Sequence, residues 1–203
     1  MEGNREFLYR RLHSLLGVIP VGVFLIQHLV VNNFATRGPE AFNNAAHFME
    51  NLPFRYVLEA CIIFIPLIYH AVYGVYIAFT AKNNANQFGF ARNWLFVFQR
   101  ISGIITLIFV SWHVWQTYLA AQLFGEEVNF NMMENILSDP FFLGFYLVGV
   151  VSTIFHFSNG LWSFAVTWGI TVTPRSQRIS TYVTLAVFIA LTYVGVSSIF
   201  AFV

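Results

Sequence analysis

The sequence predicts an all-α membrane protein with five transmembrane helices, the first four forming one bundle, and three observations carry the prediction. Of 203 residues, 58% are hydrophobic and only 9% charged, far below the roughly 25% charge of soluble globular domains. Five stretches reach the roughly 20 consecutive apolar residues that a helical crossing needs. None alternates with period two or is as short as a barrel strand, so helices are the spanning form. Within these spans lie four histidines, His28, His70, His113 and His156.

The expected spans, in order, are Leu12 to Phe34, Arg55 to Thr80, Asn93 to Gln122, Phe141 to Trp168 and Ile179 to Val203. The first follows Arg5, Arg10 and Arg11 in the manner of a signal peptide, but it runs about 22 residues and has no small-residue cleavage pattern, so it is read as retained. Pro20 and Pro66 are expected to kink the first two spans, because proline cannot donate its helical hydrogen bond. The fourth is the most uniform: no charged residue stands between Phe141 and Thr173. The fifth carries no histidine and is expected to serve packing or partner contact. The connections are too short for a soluble domain, so residues 1–203 are read as one integral-membrane domain.

Basic residues orient the bundle. Arg5, Arg10, Arg11, Lys82, Arg92, Arg175 and Arg178 fall at one end, while the opposite end has Arg37 and Arg55 and the acidic run Glu126, Glu127, Glu134 and Asp139. The positive-inside rule places the N-terminus in the cytoplasm and the C-terminus outside. The cytoplasmic cations suit anionic lipid headgroups or a docking subunit as well as orientation. The net charge of +1 gives no reason to expect nucleic acid as a partner.

An internal repeat joins the halves. His28 and His70 are 42 residues apart, His113 and His156 are 43 apart, and His70 and His156 each begin a His-x-x-x-Gly ending at Gly74 and Gly160. Spans one and three run the same way, so the repeats are parallel. At about 1.5 Å per residue, His28 and His113 come about 24 to 30 Å from the cytoplasmic face, and His70 and His156 about 15 to 18 Å. The histidines therefore form an outer pair, His28 with His113, and an inner pair, His70 with His156. Polar rings at bilayer depth demand a partner or a purpose, and two imidazoles at one depth can hold both axial positions of an iron porphyrin. That leaves no open site for oxygen and suits electron transfer. The single cysteine, Cys61, excludes covalent attachment through a Cys-x-x-Cys-His sequence, so any haem is held by coordination alone. Gly74 and Gly160 are expected to make room for the macrocycle, and Ser152 either to meet a ring nitrogen or carbonyl near His156 or, as serine hydroxyls more commonly do, to bond its own backbone.

The remaining polar residues divide. His13 is read as an interfacial residue at the edge of the first span, and His47 as a surface residue of the outer loop that neighbours an outer haem or quinone if it has a function. Glu59 follows Arg55 by four residues, which reads as an ion pair or as a carboxyl moving protons for a quinone. Arg100 either snorkels to the surface or pairs with a haem propionate. A histidine relay in an ion transporter and the cytochrome b subunit of a hydrogenase or formate dehydrogenase are the competing readings.

Arg11-Leu-His-Ser-Leu-Leu-Gly17, Ile68-Tyr-His-Ala-Val-Tyr-Gly74, Ser111-Trp-His-Val-Trp115 and Phe155-His-Phe-Ser-Asn-Gly-Leu-Trp162, with the five-span layout, resemble the cytochrome b558 anchor subunits of Bacillus-type succinate dehydrogenases. The resemblance covers essentially the whole chain. It implies a bacterial cell-membrane protein without catalysis of its own, bound to a flavoprotein that oxidises succinate and an iron-sulfur subunit that relays electrons. It further implies two non-covalently bound haem b groups with His28, His70, His113 and His156 as axial ligands, and menaquinone as the acceptor. The family's quinone site has no short motif to transfer, so Glu59 and His47 stand as candidates.

Overall fold

The computed structural model describes residues 2–82 and 84–203. Among them no strand occurs, and five helices are long and apolar enough to cross a membrane: Arg5–Arg37, Arg55–Thr80, Ala91–Phe124, Pro140–Thr167 and Pro174–Phe200. The first and fifth begin earlier than apolarity alone suggests, because local chemistry rather than hydropathy starts them. Glu6 pairs with Arg10 one turn on, at 2.8 Å, carrying the first helix outward through its arginines. The fifth opens on a capping box in which the Thr173 hydroxyl accepts from the Ser176 amide at 3.1 Å, with Pro174 in the first turn, where its missing N–H costs nothing. Asp139 and Pro140 start the fourth in the same way.

The prolines act differently. Around Pro20 the helix is interrupted at Ile19, between Glu2–Val18 and Pro20–Asn33. Pro66 stands just after a π-helical stretch, Glu59–Phe64, so a widened turn absorbs the missing hydrogen bond. A second π-helical stretch, Trp115–Leu119, has no proline nearby and follows His113 directly.

Spans one to four form a bundle in which one touches two, two touches three, three touches four and four touches one, so that one and three, and two and four, are diagonal. Span five lies outside this ring, against spans four and one. Asn33 ties it to span one by donating to the Val194 carbonyl and to the Ser197 and Ser198 hydroxyls at 2.9 to 3.2 Å. Its other face exposes Val183, Leu185, Ile189 and Tyr193. Only 6% to 28% of each apolar window is buried in the chain itself, which leaves most of the apolar surface to lipid and to groups inside the bundle.

The connections at the end opposite the N-terminus are not bare loops. Pro39–Glu50 and Phe130–Leu137 are amphipathic helices that close that end over a core of Phe42, Phe130, Met133, Leu137 and Phe202. Phe202, near the end of the chain, lies 5.0 Å from Phe42 and 4.9 Å from Phe130 between ring centroids, the spacing of favourable aromatic pairs.

Candidate functional site

The two diagonals of the bundle carry the histidine pairs. His28 and His113, on spans one and three, have ring centroids 5.8 Å apart and planes at 71°. His70 and His156, on spans two and four, lie 6.1 Å apart at 81°. Imidazole nitrogens sit about 2 Å from a first-row transition metal, so two rings on opposite sides of one ion have centres about 6 Å apart. Both pairs match that span. Among the described residues no cluster of three or more histidine, cysteine, aspartate or glutamate side chains could hold an ion. A metal between either pair therefore takes two ligands from this chain and the rest from elsewhere, as an iron porphyrin supplies them. All four rings are only half-buried although they face across the bundle.

The neighbours of each ring fix its orientation. His70 donates from Nδ1 to the His13 carbonyl at 3.0 Å, and His156 donates from Nδ1 to the Gln99 carbonyl at 2.9 Å. Each bond holds the proton on Nδ1, leaves the Nε2 lone pair free for a metal and makes the imidazole a stronger donor. His113 has a longer contact, from Nδ1 to the Tyr146 hydroxyl at 3.3 Å, and Tyr146 in turn donates to Gln116 at 3.3 Å. His28 leans on Phe24, with centroids 5.4 Å apart, as His113 stacks on Phe109 at 5.7 Å.

Glycines on the neighbouring helices make these approaches possible. A Cβ on Gly17 would overlap the His70 ring, and one on Gly103 would stand 2.9 Å from Cε1 of His156. Gly74 instead faces Nε2 of His13 at 3.1 Å, and Gly160 faces the Gln99 amide at 3.4 Å. Ser152 is not the ring partner of His156: Gln99 takes Nδ1, and the Ser102 hydroxyl is 3.4 Å away. The inner histidines pack on the neighbouring helix rather than on their own.

His13 lies beside the inner pair. The first helix starts early enough to put His13 two turns inside, stacked on His70 at 4.1 Å with planes 8° apart. The signal for all these residues was present as a longer repeat. His13-x-x-x-Gly17 recurs 86 residues on as Gln99-x-x-x-Gly103, at the offset that relates His70-x-x-x-Gly74 to His156-x-x-x-Gly160. Only the second pair begins with histidine in both copies.

At the outer end Arg55 donates from Nε to Glu59 at 2.7 Å, and the Tyr118 hydroxyl donates to the other Glu59 oxygen at 3.0 Å. Glu59 and Tyr118 sit on the two π-helical stretches, whose wide turns bring the helices together there. The expected ion pair exists, then, with a tyrosine added. His47 is exposed on Pro39–Glu50 and shares a surface groove with Asn43, Glu50, Glu126 and Glu127. Arg100 lies over the Phe96 ring, 4.0 Å from its centroid, with Nε and one terminal nitrogen buried and unpartnered.

Comparison with known proteins agrees with this architecture. The profile of a family described as succinate dehydrogenase/fumarate reductase transmembrane subunit matches residues 81–195. Over the full length of both chains, the sequence is 79% identical to a protein of Bacillus subtilis (strain 168) named succinate dehydrogenase cytochrome b558 subunit.

Proposed function

The chain belongs to the succinate dehydrogenase/fumarate reductase transmembrane subunit family, and from that membership we propose that it carries electrons across the membrane through two haem b groups to menaquinone. It is a membrane cytochrome subunit of succinate dehydrogenase, not catalytic by itself. The observation that carries the two-haem reading is the pair of diagonal imidazole contacts, at 5.8 and 6.1 Å, on two levels of one bundle. Haem bound there would supply one-electron redox chemistry.

The residues of this chain set the conditions for that exchange. His70 and His156 hold the inner position and His28 and His113 the outer one, and four protein nitrogens on four helices tie bundle stability to occupancy. The carbonyls of His13 and Gln99 keep the inner imidazoles in the ligating tautomer. The apolar side chains around both levels keep water out and lower the local dielectric, which tunes the potentials. Near the outer end Glu59, held by Arg55 and Tyr118, is placed to deliver the protons that quinone reduction consumes, with His47 as the second candidate at the surface. At the inner end Arg5, Arg10, Arg11, Lys82, Arg92, Arg175 and Arg178 suit a docked iron-sulfur subunit, and through it the flavoprotein that oxidises succinate, together with anionic lipid.

Purification of the complex from the membrane tests the reading. Two b-type haems per copy of this chain, reduced on addition of succinate and reoxidised by menaquinone, are expected. One haem per chain would remove the two-level assignment, and a colourless protein would remove haem altogether.

A further inference from the structure

The two imidazoles of the inner pair are not held alike. His70 has one polar tie to the neighbouring helix, from Nδ1 to the His13 carbonyl. His156 has two, and they run in opposite directions. Its Nδ1 donates to the Gln99 carbonyl at 2.9 Å, and its own carbonyl accepts from the Gln99 side-chain nitrogen, also at 2.9 Å. Residues 99 and 156 thus close a cycle of hydrogen bonds, imidazole to backbone one way and side-chain amide to backbone the other. At the equivalent places in the first half stand His13, for Gln99, and Tyr73, for Asn159. Neither carries an amide, and the His13 ring stacks on His70 instead.

A primary amide closes that cycle in only one of its two orientations, with nitrogen toward the His156 carbonyl and oxygen away from it. Asn159, one turn beyond His156, selects that orientation. Its Nδ2 donates to Gln99 Oε1 at 2.7 Å and to the Leu95 carbonyl at 3.1 Å, while its Oδ1 faces the Arg92 guanidinium at 3.5 Å. Turned over, Asn159 would set its oxygen against two acceptors and its NH2 against a cation. Its orientation is therefore fixed, and that of Gln99 follows. An amide left unpaired in an apolar bundle is costly, which keeps the arrangement closed. Resting on the two-haem reading, we infer that Gln99, through its side chain, and Asn159, through Gln99, are positioning residues for His156. They clasp span three to span four beside the ring and so hold its bond to the Gln99 carbonyl and its plane, 81° from that of His70. Of the inner pair, His156 is the fixed ligand.

Three variants of the intact complex separate this role from packing. Gln99→Met keeps the length of the side chain and loses its amide, Asn159→Leu keeps the shape and loses the donor, and the third carries both changes. None alters the Gln99 carbonyl or adds a charge. One readout is a redox titration followed in the haem absorption bands, with the inner step identified as the one lost in a His156→Ala complex. The other is the low-spin ferric electron paramagnetic resonance signal of that haem, whose largest g value moves with the angle between the axial imidazole planes. A loosened Nδ1 bond makes the imidazole a weaker donor and favours ferrous iron. Gln99→Met is expected to move the inner equilibrium about twofold to tenfold toward the reduced form, a potential about 18 to 59 mV higher, with a changed g value and the outer step unmoved. Asn159→Leu is expected to move both readouts the same way and to add nothing in the Gln99→Met background, because the amide it acts through is already gone. Gln99→Leu takes the place of Gln99→Met if the latter does not assemble. A Gln99 variant whose inner step and signal match the parent, an Asn159→Leu effect that persists in full in the double variant, or movement of the outer step would each overturn the inference and leave the two-haem reading intact. A parent complex without haem overturns both.

Discussion

On the two-haem proposal, Gly103→Ala tests whether the inner haem is tuned by a backbone carbonyl. The new Cβ would stand 2.9 Å from Cε1 and 3.2 Å from Nδ1 of His156, whereas carbon atoms settle at about 3.5 Å or more. The ring must retreat by about 0.6 Å, which stretches the 2.9 Å bond from Nδ1 to the Gln99 carbonyl to about 3.5 Å, beyond the useful range. A hydrogen bond of this kind is worth about 0.5 to 1.5 kcal/mol net. Because the bond strengthens the imidazole as a donor and so favours ferric iron, its loss raises the potential. At 59 mV per tenfold for one electron, the inner step is expected to rise by about 20 to 60 mV. The assay is a redox titration of the purified complex, with Gly144→Ala as control. Gly144 has nothing within 4 Å of a Cβ, so that variant leaves both steps in place. An unchanged inner step in an assembled Gly103→Ala complex, or movement of the outer step instead, would refute the reasoning.

Substitution of His28 or His113 by Ala should abolish one haem redox step, and of His70 or His156 the other; loss of a common step in His113 and His156 variants would dissolve the diagonal pairing. Tyr146→Phe removes the group that His113 Nδ1 meets at 3.3 Å, and titration should show the outer step alone rising, by less than about 60 mV because the bond is long. Glu59→Gln should leave haem content and reduction by succinate unchanged while slowing menaquinone reduction tenfold or more in a stopped-flow assay, within the about 10² to 10⁴ range of positioned proton transfer. An unchanged rate would reduce Glu59 to the partner of Arg55. Asn33→Val deletes three hydrogen bonds to span five, and thermal unfolding in detergent should register about 1 to 2 kcal/mol of destabilisation, since such bonds average about 0.6 kcal/mol in membranes.

Much of this protein is legible without coordinates because the bilayer removes alternatives. Apolar length gives the five spans, helical rise turns residue number into depth, and the repeat makes the histidines fall into two levels. No soluble fold ties position in sequence to position in space so directly. The sequence by itself therefore determined the five spans and which histidines share a depth. The tertiary structure decided what each ring touches. The carbonyls of His13 and Gln99 have no sequence signature, since every residue carries one, and only the azimuth of neighbouring helices selects them. The same azimuth sets the imidazoles of His70 and His156 against Gly17 and Gly103. Polar caps, invisible to hydropathy, extend the fifth helix, and the Glu6–Arg10 pair supports the extended first. Helix packing likewise decides that His13 stacks on His70.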